Sequence, residues 1–160
     1  MQTRHEKKSC FADALAIGGV HRVPPLGHIN DVLKHISEHI CWEGDLNREF
    51  LFDLLKEREK ILSTAIGKGV GIPHPRNAKL LGLDGVVAAC FYLETPLGLR
   101  ARDGEDVWCL FALIASDMGM HLKMMRELAH CLQIDTFLEE MKMKPELPVL
   151  CQLFEKYENL

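Results

Sequence analysis

Two unbroken apolar runs constrain this chain more than any other feature. Residues 85–93 read Gly-Val-Val-Ala-Ala-Cys-Phe-Tyr-Leu, and residues 107–115 read Val-Trp-Cys-Leu-Phe-Ala-Leu-Ile-Ala. Each has the length of a strand, and neither alternates with polar residues. Strands that are apolar on both faces are covered on both sides, usually by helices. The turn signals 95–98 (Thr-Pro-Leu-Gly) and 103–106 (Asp-Gly-Glu-Asp) lie between them and leave room for a short strand at 99–102.

Helical patterns flank these runs. Asn30 is placed to cap a helix with apolar residues at 32, 33, 36 and 40. Asp45 is placed to cap a second, with Leu46, Phe50, Leu51, Leu54 and Leu55 on one face. Ser116-Asp117 opens a helix through about residue 133, a short helix is expected at 135–143, and an amphipathic one at 147–158. Residues 69–73 suit a short strand. Helices, strands and then helices predict an α/β fold: a three-layer α/β/α sandwich with one mixed β-sheet flanked by helices. Gly18-Gly19 and Pro24-Pro25 punctuate residues 1–24, which are read as an N-terminal extension or linker with no regular element running through it. Residues 25–158 then form the domain.

The bulk numbers exclude several classes. A chain of 160 residues suits one domain. A formal charge of −4 gives no global electrostatic case for nucleic acid, and no charge-free apolar run is long enough to span a membrane. The six cysteines, at 10, 41, 90, 109, 131 and 151, form no C-x-x-C pair and lie mostly in apolar contexts. They are expected to be buried thiols of a cytoplasmic protein. His35 and His39 stand four apart on a predicted helix, a spacing able to chelate zinc, but no third ligand is evident and a solvated polar face is expected, with no metal. No cofactor is expected either.

The chemistry concentrates in residues 58–77, Arg-Glu-Lys-Ile-Leu-Ser-Thr-Ala-Ile-Gly-Lys-Gly-Val-Gly-Ile-Pro-His-Pro-Arg-Asn. Neutral imidazole is a nucleophile near pH 7 and can accept and release a phosphoryl group. Prolines on both sides of His74 fix the backbone, and three alternating glycines would let main-chain N–H groups approach an anion. His121 falls in the first turn of a predicted helix, where free N–H groups attract phosphate; its alternative is an ordinary first-turn surface residue. Arg58 can bind phosphate bidentately, or simply pair with Glu59 at a solvated helix end. Ser63 and Thr64 can bond a phosphate oxygen or fix the turn before Ile66. Arg76 is a further candidate contact. No G-x-x-x-x-G-K-[ST] loop is present, so ATP is not the expected donor.

From Arg58 to His74 the chain meets every fixed position of R-E-x-x-x-S-T-x-[IL]-G-x-G-[IV]-x-[IV]-P-H, with a second match at His121-Leu122. In this it resembles the enzyme IIA domains of the bacterial phosphoenolpyruvate:sugar phosphotransferase system, of the fructose/mannitol and nitrogen-regulatory type, over roughly residues 25–158. Leu62 and Pro75 stand where many members have glycine. The resemblance implies a phosphotransferase that carries a phosphohistidine at His74, with His121 assisting and Arg58 near the active site. It implies the histidine phosphocarrier protein as donor, and a IIB domain or a regulatory protein as target. A stand-alone IIA domain favours the nitrogen-regulatory branch; the alternatives are a sugar-specific component feeding a IIB permease, or a regulatory module that is not phosphorylated. The face around His74 is expected to carry exposed apolar residues for transient docking.

Overall fold

The computed structural model describes residues 10–158. The two apolar runs are the centre of the sheet. Strand β4 (Val86–Leu97) pairs antiparallel with β5 (Val107–Ala115), from Val86 opposite Ala115 to Tyr92 opposite Cys109. Two shorter strands, β2 (Ala65–Gly67) and β3 (Val70–Gly71), form a hairpin whose second strand runs parallel to β5. Strand β1 (Val20–Val23) lies parallel to β4 on the far edge. The order β1-β4-β5-β3-β2 makes one mixed five-stranded sheet.

Both faces of that sheet are covered, as its apolar strands require. Ala88, Cys90 and Tyr92 of β4 join Phe111 and Leu113 in one core, closed by α1 (Cys10–Gly18), α4 (Met118–Leu132), α5 (Asp135–Lys142) and α6 (Leu147–Tyr157). Val87, Ala89, Phe91 and Leu93 enter the other core, beneath α2 (Ile29–His39) and α3 (Arg48–Ile61). Fully burying each large apolar side chain contributes about 1.5–3 kcal/mol, so both helical layers are held chiefly by the strands' alternating faces. The three-layer α/β/α sandwich is the observed architecture.

Several local expectations need correction. Residues 1–24 are not simply an extension or linker: α1 and β1 lie within them, with Phe11, Ala12, Ala14 and Leu15 buried in the core. The double glycine marks the corner between helix and strand. Gly19 turns at φ 86°, and a Cβ on Gly18 would meet the Ala88 carbonyl oxygen, so α1 approaches β4 closely there. Residues 1–9, the start of that segment, lie outside the described residues. No strand forms at 99–102, because Arg100 adopts φ 57° and breaks the extended backbone. Strand β4 instead continues through Pro96, which a register shift between Tyr92 and Leu97 accommodates without a ladder bond. Helix α2 is capped by His28 rather than Asn30, and α3 by Asn47 rather than Asp45. Cys90, Cys109 and Cys131 are buried as expected, but Cys41 is exposed. Among the described residues no helix is long and apolar enough to cross a membrane.

Candidate functional site

Strands β3 and β5 run parallel, and their C-terminal ends open at one rim of the sheet. Beyond β3 the chain stays beside β5, with the Leu113 amide donating to the Pro73 carbonyl at 3.0 Å. His74 follows directly. Pro73 and Pro75 are buried while His74 is half-buried, so the ring sits on an anchored backbone at the surface. The last turn of α3 supplies Arg58 from one layer, and the first turn of α4 supplies His121 from the other. These three residues line one cleft of about 550 Å³ together with Pro75, Arg76, Asn77, Lys79, Ser116, Asp117 and Met118.

The cleft's geometry fixes the state of its histidines. A ring nitrogen of His74, Nδ1, lies 2.8 Å from the Ile72 carbonyl oxygen. A carbonyl only accepts, so Nδ1 carries the proton and Nε2 keeps its lone pair. The His121 ring is 4.8 Å from the His74 ring, centroid to centroid, tilted by 49°. Burial holds His74 below the ordinary imidazole pKa; the Ile72 bond opposes that shift, and His121 and Arg58 reinforce it. His121 is lowered too, by burial and then by Arg58. Both rings therefore favour the neutral form at pH 7. Arg58 donates to the Leu62 carbonyl at 2.8 Å, which steadies its guanidinium at the helix end.

Asp117 organises the other wall. Its side chain accepts from Met120 N–H at 2.8 Å, and its carbonyl accepts from His121 N–H at 3.1 Å. The N–H groups of Met118 and Gly119 stay outside the helical ladder, and the N-terminus of α4 adds partial positive charge. Ser116 is used structurally, accepting from Gly85 N–H at 3.1 Å. Of the exposed large apolar residues, Met118 lines the cleft, and Leu80 and Leu122 directly follow the lining residues Lys79 and His121.

Two expectations about the site fail on position. Ser63 and Thr64 do not line the cleft. Ser63 Oγ accepts from Ala65 N–H, and Thr64 is buried with its hydroxyl donating to Glu59 at 2.7 Å, so both fix the turn. The three glycines lie outside the cleft lining. Gly67 and Gly69, with Lys68 between them, form the β2–β3 turn at φ 97°, 57° and 78°, and Gly69 lies against the Trp108 ring. Conversely, Asn77, Lys79 and Asp117 reach the cleft without having been singled out as site residues. Asp117 was legible only as a helix cap. Away from the cleft, the His35 and His39 rings stack at 3.9 Å, and no cluster of three or more metal-ligating side chains occurs among the described residues.

Comparison with known proteins fits this arrangement. A nitrogen regulatory protein of Pseudomonas aeruginosa is 29% identical over 138 residues, covering 84% of this chain and 88% of the relative. The crystal structure of nitrogen regulatory protein IIA-Ntr from Neisseria meningitidis has the same fold, with a TM-score of 0.78 at 24% identity over 91% of this chain and 99% of that one. So does enzyme IIA-mannitol in its complex with phosphorylated enzyme IIB-mannitol from Escherichia coli, with a TM-score of 0.66 at 11% identity over 84% and 92% of the two chains. Residues 22–156 match the family model described as phosphoenolpyruvate-dependent sugar phosphotransferase system, EIIA 2. A match of that extent places most of the sheet and the whole cleft inside one family, and the chain belongs to the type-2 enzyme IIA family of the phosphotransferase system.

Proposed function

We propose that this protein is a phosphocarrier of the nitrogen-regulatory kind, which accepts a phosphoryl group on His74 Nε2 from the histidine phosphocarrier protein and passes it on or signals with it. The observation that carries this reading is the engagement of His74 Nδ1 by the Ile72 carbonyl, beside His121 and Arg58 in one open cleft. The Nε2 lone pair attacks phosphorus, the P–N bond of the donor phosphohistidine breaks, and the electron pair returns to the donor ring. No proton has to leave His74, because Nδ1 keeps its own. The ring gains positive charge, and the Nδ1–H bond to Ile72 strengthens as it does. Arg58, the start of α4 and His121 offset the charge spread over the transferring oxygens, which is most of what such a transfer asks of a protein.

The mannitol IIA domain solved with phosphorylated IIB shares the fold, and this supports a second reading, in which the phosphoryl group moves on to a IIB domain. Phosphate on an exposed loop also adds nearly two negative charges, enough to make or break a contact with a regulatory target. Incubation with phosphoenolpyruvate, enzyme I and the histidine phosphocarrier, followed by intact mass, tests the common step. Wild type gains a single acid-labile phosphate and His74→Ala gains none; a His74→Ala protein that is still phosphorylated refutes the assignment.

A further inference from the structure

Glu59 is the partner of Arg58 in the sequence, yet it forms no ion pair among the described residues and does not line the cleft. Its carboxylate turns to the start of the hairpin instead. It accepts from Thr64 Oγ1 at 2.7 Å and from Thr64 N–H at 3.2 and 3.4 Å. Thr64 is one of only two buried polar residues among those described, while Glu59 is half-buried, so the bonds meet water on the carboxylate side only. Directly across the hairpin, the Thr64 carbonyl accepts from Ile72 N–H at 2.9 Å. The carbonyl of that same Ile72 accepts from His74 Nδ1 at 2.8 Å.

These bonds form one continuous path from the last turn of α3 to the nucleophile. Charge-assisted bonds to a carboxylate are shorter and about twice as strong as neutral ones, so Glu59 is a firm anchor for Thr64. Thr64 in turn holds the Ile72 N–H, and because Ile72 precedes Pro73 its backbone is confined to the extended or polyproline region, which sets the direction of its own carbonyl. We propose that Glu59, acting through Thr64 and Ile72, is a positioning residue that holds His74 in the Nδ1–H tautomer with Nε2 free to react. The inference rests on the phosphocarrier reading for its consequence, but not for its geometry. It also explains why Arg and Glu stand side by side in the motif. Adjacent residues at the end of one helix set the two halves of the site, Arg58 the phosphate-binding wall and Glu59 the orientation of the acceptor.

Nitrogen-15 NMR of the His74 ring at neutral pH reads the tautomer directly, and single-turnover phosphorylation reads its consequence. Wild type shows Nδ1 protonated and Nε2 bare. Glu59→Gln and Thr64→Val admit the Nε2–H form and slow phosphoryl acceptance roughly 10- to 100-fold, the scale expected for a misplaced nucleophile. Thr64→Ser keeps the hydroxyl and restores both readouts. A wild-type tautomer and wild-type rate in folded Glu59→Gln and Thr64→Val overturn the proposal, as does lowered thermal stability with both readouts unchanged. Should Glu59→Gln fail to fold, the Thr64 pair decides alone. If wild type accepts no phosphate, the phosphocarrier reading fails, while the tautomer measurement still decides whether Glu59 orients His74.

Discussion

At the scale of single residues, the cleft works by keeping two imidazoles neutral. Burial is the leading cause for both, and Arg58 adds to it. A histidine whose folded pKa lies below its unfolded value of about 6.5 is uncharged in the native state while the unfolded chain already binds a proton. Stability contributed by His74 and His121 is therefore intact above about pH 6.5 and is lost as pH falls from there through their folded values. Acceptance of phosphate should be flat from about pH 8 to 6.5 and decline only below, and a decline that begins near pH 7.5 would contradict neutral rings. Phosphorylation reverses the field: a dianion at His74 favours the imidazolium of His121, whose pKa, followed by proton NMR, should rise in the phosphorylated protein. His121→Ala should still accept phosphate but about a hundredfold more slowly, as when one preorganised donor is removed; an unchanged rate would take His121 out of the mechanism. Arg58, His74 and His121 could be singled out beforehand because each sits in a motif with a chemical reason, and the fold brings the three to one cleft. Lys79 and Asn77 were not, since only the path of the loop after Pro75 brings them to the cleft. Ser63 and Thr64 show the opposite failure: their hydroxyls suit phosphate and turns equally well, and only the fold decides, turning Ser63 to the Ala65 amide and burying Thr64 against Glu59.

At the scale of elements, strong local signals survived and tertiary ones did not. The apolar runs of β4 and β5 and the Asp117 cap of α4 carry their own evidence in composition and spacing. Strand β1 has four residues and no alternation, and it exists because β4 offers it a parallel partner. Strand β3 falls inside the short strand expected at 69–73, but its partner β2 is too short for a periodicity, and the turn between them uses glycines that the sequence also permitted for anion binding. Its real constraint is steric. Gly69 has φ 78°, and a Cβ there would fall 2.3 Å from the Trp108 indole, which cannot yield while it packs against the core. Gly69→Ala should thus cost about 1–3 kcal/mol in urea or thermal melts, from overpacking and a disfavoured backbone together. Because β3 leads into Pro73 and His74, the same variant should slow phosphoryl acceptance. A variant as stable and as fast as wild type would mean that the turn plays no part in placing the nucleophile.

Across the whole molecule, the cleft exists only because both helical layers end at the same rim of the sheet: α3 brings Arg58 from one core and α4 brings His121 from the other. The second layer depends on α1. Phe11 meets Phe154 at 4.7 Å and Phe111 at 5.7 Å between ring centroids, and its amide donates to the Glu127 carboxylate of α4 at 2.9 Å. A chain cut back to residue 25 loses that helix and the edge strand β1, and leaves the faces of α4, α6 and β4 that they covered open to water. Replacing Phe11 alone with alanine should cost about 3–5 kcal/mol, a large share of the roughly 5–15 kcal/mol that holds a domain of this size. Deleting residues 1–24 removes far more buried area than that and should abolish the cooperative thermal transition. Phe11→Ala, which still folds, should accept phosphate more slowly, because the bond from residue 11 ends on the helix that carries His121. A chain starting at residue 25 that melts cooperatively near the wild-type temperature and is phosphorylated at the wild-type rate would show that the segment is dispensable and that the cleft is held by α3, α4 and the central strands alone.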